Sequence, residues 1–219
     1  MSNFGEIMTK NFQIKEVKPK IFHLLFKDRV KMCLSLIRFA EFFESPFKEI
    51  KNKKFSLVKY IEIYIKKTKN SNLHFTYPGD WSGFNFPSDV FFEAVKVNND
   101  LNEYETEVLK AINELKKKED EFYIIASSSQ DSVLKHEIAH GFWYINQEYK
   151  NEMKNLLKTL TKNEKKLFFK KLKSIGYCNE VIEDETQAYL STGLSERLIN
   201  IVDKKIELKF KKVFKKYYL

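Results

Sequence analysis

Glycine, proline, cysteine and histidine are all scarce here, with 6, 4, 2 and 4 copies in 219 residues. So little glycine and proline argues against a turn-rich β fold and for helices. The two cysteines, Cys33 and Cys178, form no CxxC pair. That excludes a disulfide framework and fits a reducing compartment. No uninterrupted apolar run approaches the roughly 20 residues of a membrane-spanning helix. Residues 1–20 lack the apolar h-region of a Sec-type signal peptide. A cytoplasmic protein is expected, with secretion by a route that needs no cleaved signal left open. There is no interleaved basic and aromatic motif that would favour nucleic acid, no internal repeat and no low-complexity linker.

What is present allows a substantial core. Hydrophobic residues make up 43% and aromatic residues 15%, so disorder is not expected. Lys and Arg total 39 against 30 acids, a net charge of +9. Much of that charge is lysine spread over helix surfaces, which reads first as solvated faces. The other reading is attraction to an acidic substrate, an anionic membrane or nucleic acid.

Along the chain, residues 1–20 read as a polar start without clear structure. From Asp28, Val30, Cys33, Leu34, Ile37, Ala40 and Phe43 recur at helical spacing, and Ser45-Pro46 ends the helix. A second helix after Ser56 would turn Val58, Ile61, Tyr64 and Ile65 inward. Leu73 to Tyr77 alternates like a strand, and Pro78-Gly79 signals a turn. Asp80 to Pro87 reads as a compact aromatic loop, packed under the core or forming a cleft wall. A third helix from Asn102 to Lys118 places Tyr104, Val108, Ile112 and Leu115 on one face. Glu121 to Ala126 is rich in β-branched and aromatic residues and predicts a strand. As a sheet edge it would offer unpaired N–H and C=O groups to an extended peptide. Met153, Leu156, Leu157 and Leu160 continue a helical pattern. Thr161 to Glu164 is a capping box for a helix through Leu167, Phe168, Leu172 and Ile175, stopped by Gly176.

The most informative stretch is His136-Glu137-Ile138-Ala139-His140. Residues four apart on a helix share a face, so both imidazoles can meet one metal ion while Glu137 lies beside it. Asp131 or Ser132 would cap that helix. Two of only four histidines fall at this spacing around a glutamate. A hydrolytic zinc site uses three protein ligands and one open position. A histidine-based continuation would need Gly at 143 and His at 146, but Trp143 and Asn146 stand there. His23 and His74 lie upstream in unrelated contexts. The third ligand is therefore sought among downstream carboxylates. Helical phase over residues 179–192 puts Val181, Glu185, Ala188, Tyr189 and Thr192 on one mostly apolar face. Glu180, Asp184 and Gln187 fall on a polar face. Glu185 is then the acid directed inward, with Glu183 next, and a plain core hydrogen bond is the alternative role.

His136-Glu137-x-x-His140 followed by Glu185-x-x-Ala188 resembles the gluzincin class of zinc metallopeptidases, over roughly residues 121–192. The resemblance implies zinc held by His136, His140 and Glu185, with Glu137 as catalytic base, in a zincin-like core. Many members of the class carry an aspartate four residues after the third ligand, where Tyr189 stands here. Tyr144, Tyr177 and Tyr189 are the candidate donors to the oxyanion. The expected substrate is a peptide or protein.

The expected fold is α+β, predominantly helical with a small β-sheet. Residues 1–100 form a mainly helical portion and residues 101–219 a zincin-like metallopeptidase core, in one continuous domain. Two other functions stay open: a degenerate zinc-binding helical interaction module, and a basic regulatory protein binding nucleic acid or membrane. The latter would use residues 203–219. There Ile206, Phe210, Val213, Phe214 and Tyr217 make a helical stripe among seven lysines, although Ile206, Leu208 and Phe210 also alternate as a strand would. The simpler reading is a helix docked by that stripe with its lysines in water.

Overall fold

The computed structural model describes residues 6–68, 74–128, 134–195, 198–199 and 201–219. It is an α+β protein with predominantly helical content and one five-stranded sheet. Among the described residues, no helix is long and apolar enough to cross a membrane. The chain divides into two compact units at Leu134/Lys135.

The first unit holds the sheet. Strands β1 (Ile7–Met8), β2 (Phe12–Lys18), β3 (Ile21–Phe26), β4 (Gly83–Pro87) and β5 (Tyr123–Ser127) lie in the order β1-β2-β3-β5-β4. Only the β3–β5 pairing is parallel. Residues 1–20 are therefore not an irregular polar start, because β1 and β2 fall within them. Phe12, Ile14 and the β3 residues Ile21, Phe22 and Leu24 are buried, and the tight turn at Lys20 takes a left-handed backbone (φ 63). Strand β5 is interior, flanked by β3 and β4, so it does not offer the open edge expected of it. Its five residues are all buried, which matches its run of apolar side chains.

Helices α1 (Arg29–Glu44), α2 (Leu57–Lys67), α3 (Tyr77–Asp80), α4 (Ser88–Val97) and α5 (Glu103–Lys116) complete this unit. Residues 1–100, expected to be mainly helical, thus carry four strands as well as four helices among the described residues. Asp28 and Ser56 cap α1 and α2 through side-chain bonds to the backbone N–H groups of Lys31 and Lys59. Asn102 closes a reciprocal capping box with Glu105 on α5. Helix α1 packs against the sheet and against α3, α4 and α5. More than one of its faces is covered, so the single-stripe expectation fails. Val30 is exposed, while Met32, Leu36 and Phe39 are buried. Arg38 and Glu41 are buried too. Arg38 donates through Nε to Glu105 Oε1 (2.7 Å) and through Nη2 to Glu105 Oε2 (2.5 Å). Glu41 accepts from the Tyr77 hydroxyl (2.7 Å).

Helix α2 buries Tyr60, Ile63 and Tyr64 and leaves Val58 exposed. Tyr60 and Tyr64 join Tyr77 in one aromatic cluster, which sets the register of the helix. The expected strand at Leu73–Tyr77 is absent from its described part: His74 to Thr76 is irregular and Tyr77 opens α3. Leu73 itself lies outside the described residues. The expected loop over Asp80–Pro87 is instead largely strand β4, paired antiparallel with β5.

The second unit is helical. It comprises α6 (Leu134–Ile145), α7 (Gln147–Thr159), α8 (Lys162–Ser174), a 3-10 turn (Asn179–Val181), α9 (Ile182–Thr192) and α10 (Lys204–Tyr218). The Thr161–Glu164 capping box forms at α8, and Gly176 takes the positive φ (115) that ends it. Asp131 and Ser132, the expected caps of α6, lie outside the described residues. Residues 204–218 are helix throughout. Phe210 and Phe214 are buried, and α10 packs against α7 and α9.

Candidate metal centre

Helices α6 and α9 build the site. His136 and His140, one turn apart on α6, point their rings toward Glu185 in the first turn of α9. His140 and Glu185 are buried, and His136 is partly so. The two Nε2 atoms lie 3.2 Å apart. Glu185 Oε1 is 3.5 Å from His140 Nε2, and Oε2 is 3.6 Å from His136 Nε2. Among the described residues these three form the one group of His, Cys, Asp and Glu donors close enough to share a metal ion.

The donor set fits a zinc ion. Ligand atoms about 2.0–2.2 Å from a tetrahedral centre stand about 3.3–3.6 Å from one another. The separations here are 3.2, 3.5 and 3.6 Å. Glu185 Oε2 is buried and makes no hydrogen bond. Such an atom is costly unless a cation or donor meets it.

The outer partners decide which ring nitrogen faces the centre. Asp184 Oδ1 lies 3.0 Å from His140 Nδ1. A carboxylate there holds the proton on Nδ1 and leaves the Nε2 lone pair for a metal. On His136, Nδ1 lies 3.3 Å from Thr192 Oγ1, whose hydroxyl donates to the Ala188 carbonyl (2.7 Å). With its proton so committed, Thr192 acts as acceptor, and His136 also presents Nε2. Burial alone would depress the His140 pKa. The negative charges of Asp184, Glu185 and Glu137 outweigh it and hold that pKa well above the usual range. These carboxylates favour positive charge here, from a second ring proton or from a bound cation.

Glu137, beside His136 on α6, is buried. Its charge is felt by both His140 and Tyr177. The Tyr177 hydroxyl is 3.2 Å from that of Tyr189, and the Tyr189 ring lies against His136 with centroids 4.6 Å apart. Burial, then Glu185, Tyr189 and Glu137, push the Tyr177 pKa far up, so the phenol stays protonated and able to donate. Tyr144 is half-buried one turn beyond His140.

The helical-phase reading of α9 is half right. Glu185 is inward as expected, while Glu183, the next candidate, is exposed. Asp184 and Gln187, expected on a polar outer face, are not there: Gln187 is fully buried and Asp184 faces His140. The carboxylate beside His140 Nδ1 comes from Asp184, one residue before Glu185, and not from position 189. The clue was the Asp184/Gln187 pair at i, i+3, a hydrogen-bonding spacing on a helix. His23 is no ligand. It sits in β3 with Nε2 2.8 Å from Ser127 Oγ.

Compared with known proteins, the chain matches no family model, no curated protein and no solved structure.

Proposed function

We propose that this chain is a zinc-dependent metallopeptidase of the gluzincin type, with a zincin-like core that includes α6 and α9. The observation that carries the reading is the convergence of His136 Nε2, His140 Nε2 and the Glu185 carboxylate at tetrahedral spacing, with Glu137 beside them. Zinc held by these three side chains would acidify a water and polarise a carbonyl.

The chain's own residues do the rest. Glu137 accepts the proton of the attacking water and later delivers it to the leaving amine nitrogen. Tyr177, kept protonated, donates its O–H to the carbonyl oxygen as negative charge builds on it. Tyr189, packed against His136 with its ring tilted and joined to Tyr177 through their hydroxyls, aligns that donor. Peptide or protein is the simplest substrate class for this acid, base and electrophile set. Two free cysteines fit a cytoplasmic setting.

The test is Glu137→Gln, which keeps the shape of the side chain but removes the base. Zinc should stay bound while hydrolysis of a peptide library falls by about 100-fold or more. Full activity in that variant would remove Glu137 from the chemistry.

A further inference from the structure

We infer that Gln187 is a positioning residue for the metal centre: through Asp184 it fixes the His140 imidazole and thereby raises the affinity for zinc. This rests on the metal-centre reading above and deepens it.

The side chain of Gln187 is completely buried, and every hydrogen-bonding group on its amide is used. Its Nε2 donates to the Ala139 carbonyl on α6 (3.2 Å) and to Asp184 Oδ1 (2.9 Å). Its Oε1 accepts from the Tyr149 hydroxyl on α7 (2.7 Å). An amide has two N–H donors, and here two acceptors face them. Burial raises the Tyr149 pKa, so this phenol remains a donor and the amide oxygen must face it. The orientation of the amide is therefore unique.

The consequence falls on Asp184. The oxygen that receives the Gln187 N–H is the one 3.0 Å from His140 Nδ1. Asp184 is only partly buried, with a fifth of its side chain open to solvent. Without Gln187 it could rotate toward water and release the ring. With Gln187 in place, Tyr149, Gln187, Asp184 and His140 form one hydrogen-bonded line from α7 through α9 to α6. The Ala139 carbonyl ties the same amide to the backbone one residue before His140. One side chain thus sets both the imidazole and the helix turn that carries it. Outer partners of this kind typically govern metal affinity by about 10–100-fold.

The test uses full-length protein and zinc competition against a chromogenic chelator, with circular dichroism confirming that each variant is folded. Gln187→Met removes both donors at similar length. It should weaken zinc binding about 10–100-fold and shift the visible absorption bands of the cobalt-substituted protein. Met removes the Gln187 oxygen that accepts from the Tyr149 hydroxyl, which risks the fold. The double variant Tyr149→Phe/Gln187→Met removes both partners and should show the same loss. Parent-like zinc affinity and cobalt spectrum in either folded variant, whatever its melting temperature, overturn the inference and leave the centre standing. A parent protein that binds no zinc removes the centre itself.

Discussion

His23 offers a prediction that depends only on the fold of the first unit. It is buried in the interior of the sheet and shares a hydrogen bond with Ser127. Burial lowers its pKa from 6.5 to about 4. The folded protein therefore keeps this ring neutral where the unfolded chain would protonate it. Between those values the unfolded state binds more protons, so stability from this group is intact above about pH 6.5 and falls as the pH drops toward 4. The full shift corresponds to about 3.4 kcal/mol at 1.36 kcal/mol per unit, of which about 2 kcal/mol is already lost near pH 5. His23→Gln keeps a polar group for Ser127 and cannot titrate. Urea unfolding, followed by circular dichroism at several pH values from about 7.5 to 4.5, separates this group from the carboxylates. Relative to the variant, the parent should lose about 2 kcal/mol more on going from neutral pH to about pH 5. Parallel stability curves for the two proteins would refute the assignment of a buried neutral imidazole.

Glu185→Ala should weaken zinc binding far more than Glu183→Ala, because Glu185 faces both imidazoles while Glu183 is exposed; equal losses in a chelator competition would show that α9 does not present Glu185 to the metal. Phe210 is fully buried against α9 and α7, so Phe210→Ala should cost about 3–5 kcal/mol. The exposed Leu208→Ala on the same helix should stay within about 0.5 kcal/mol. A neutral Phe210→Ala in thermal unfolding would mean that α10 is not docked.

What was legible in the sequence was local. The i, i+4 spacing of His136 and His140 needs only helix geometry. The caps at Asp28, Ser56, Asn102 and Thr161 are decided by side chains reaching backbone groups three residues on. What escaped depends on distant partners. Strand β4 holds Gly83, Asn85 and Pro87 and looks like a loop until β5, some forty residues later, pairs with it. Residues 12–18 carry charges that mask a strand whose partner is β3. The amphipathic-stripe argument assumes one buried face. It fails for α1, which is covered by the sheet and three helices, and for α9, which meets α7, α8 and α10 and also touches α6 through Gln187. On such a helix a polar residue at the "outer" phase can be a buried, fully bonded one, and Gln187 is the example.

In the proposed metal centre, His136, His140 and Glu185 hold one catalytic zinc. Its most direct test is the metal content of the purified protein by elemental analysis, compared with His136→Ala and His140→Ala. About one zinc per chain is expected in the parent, with most of it lost in each variant. Full zinc occupancy in both variants, or a parent that takes up none when zinc is supplied, would contradict it.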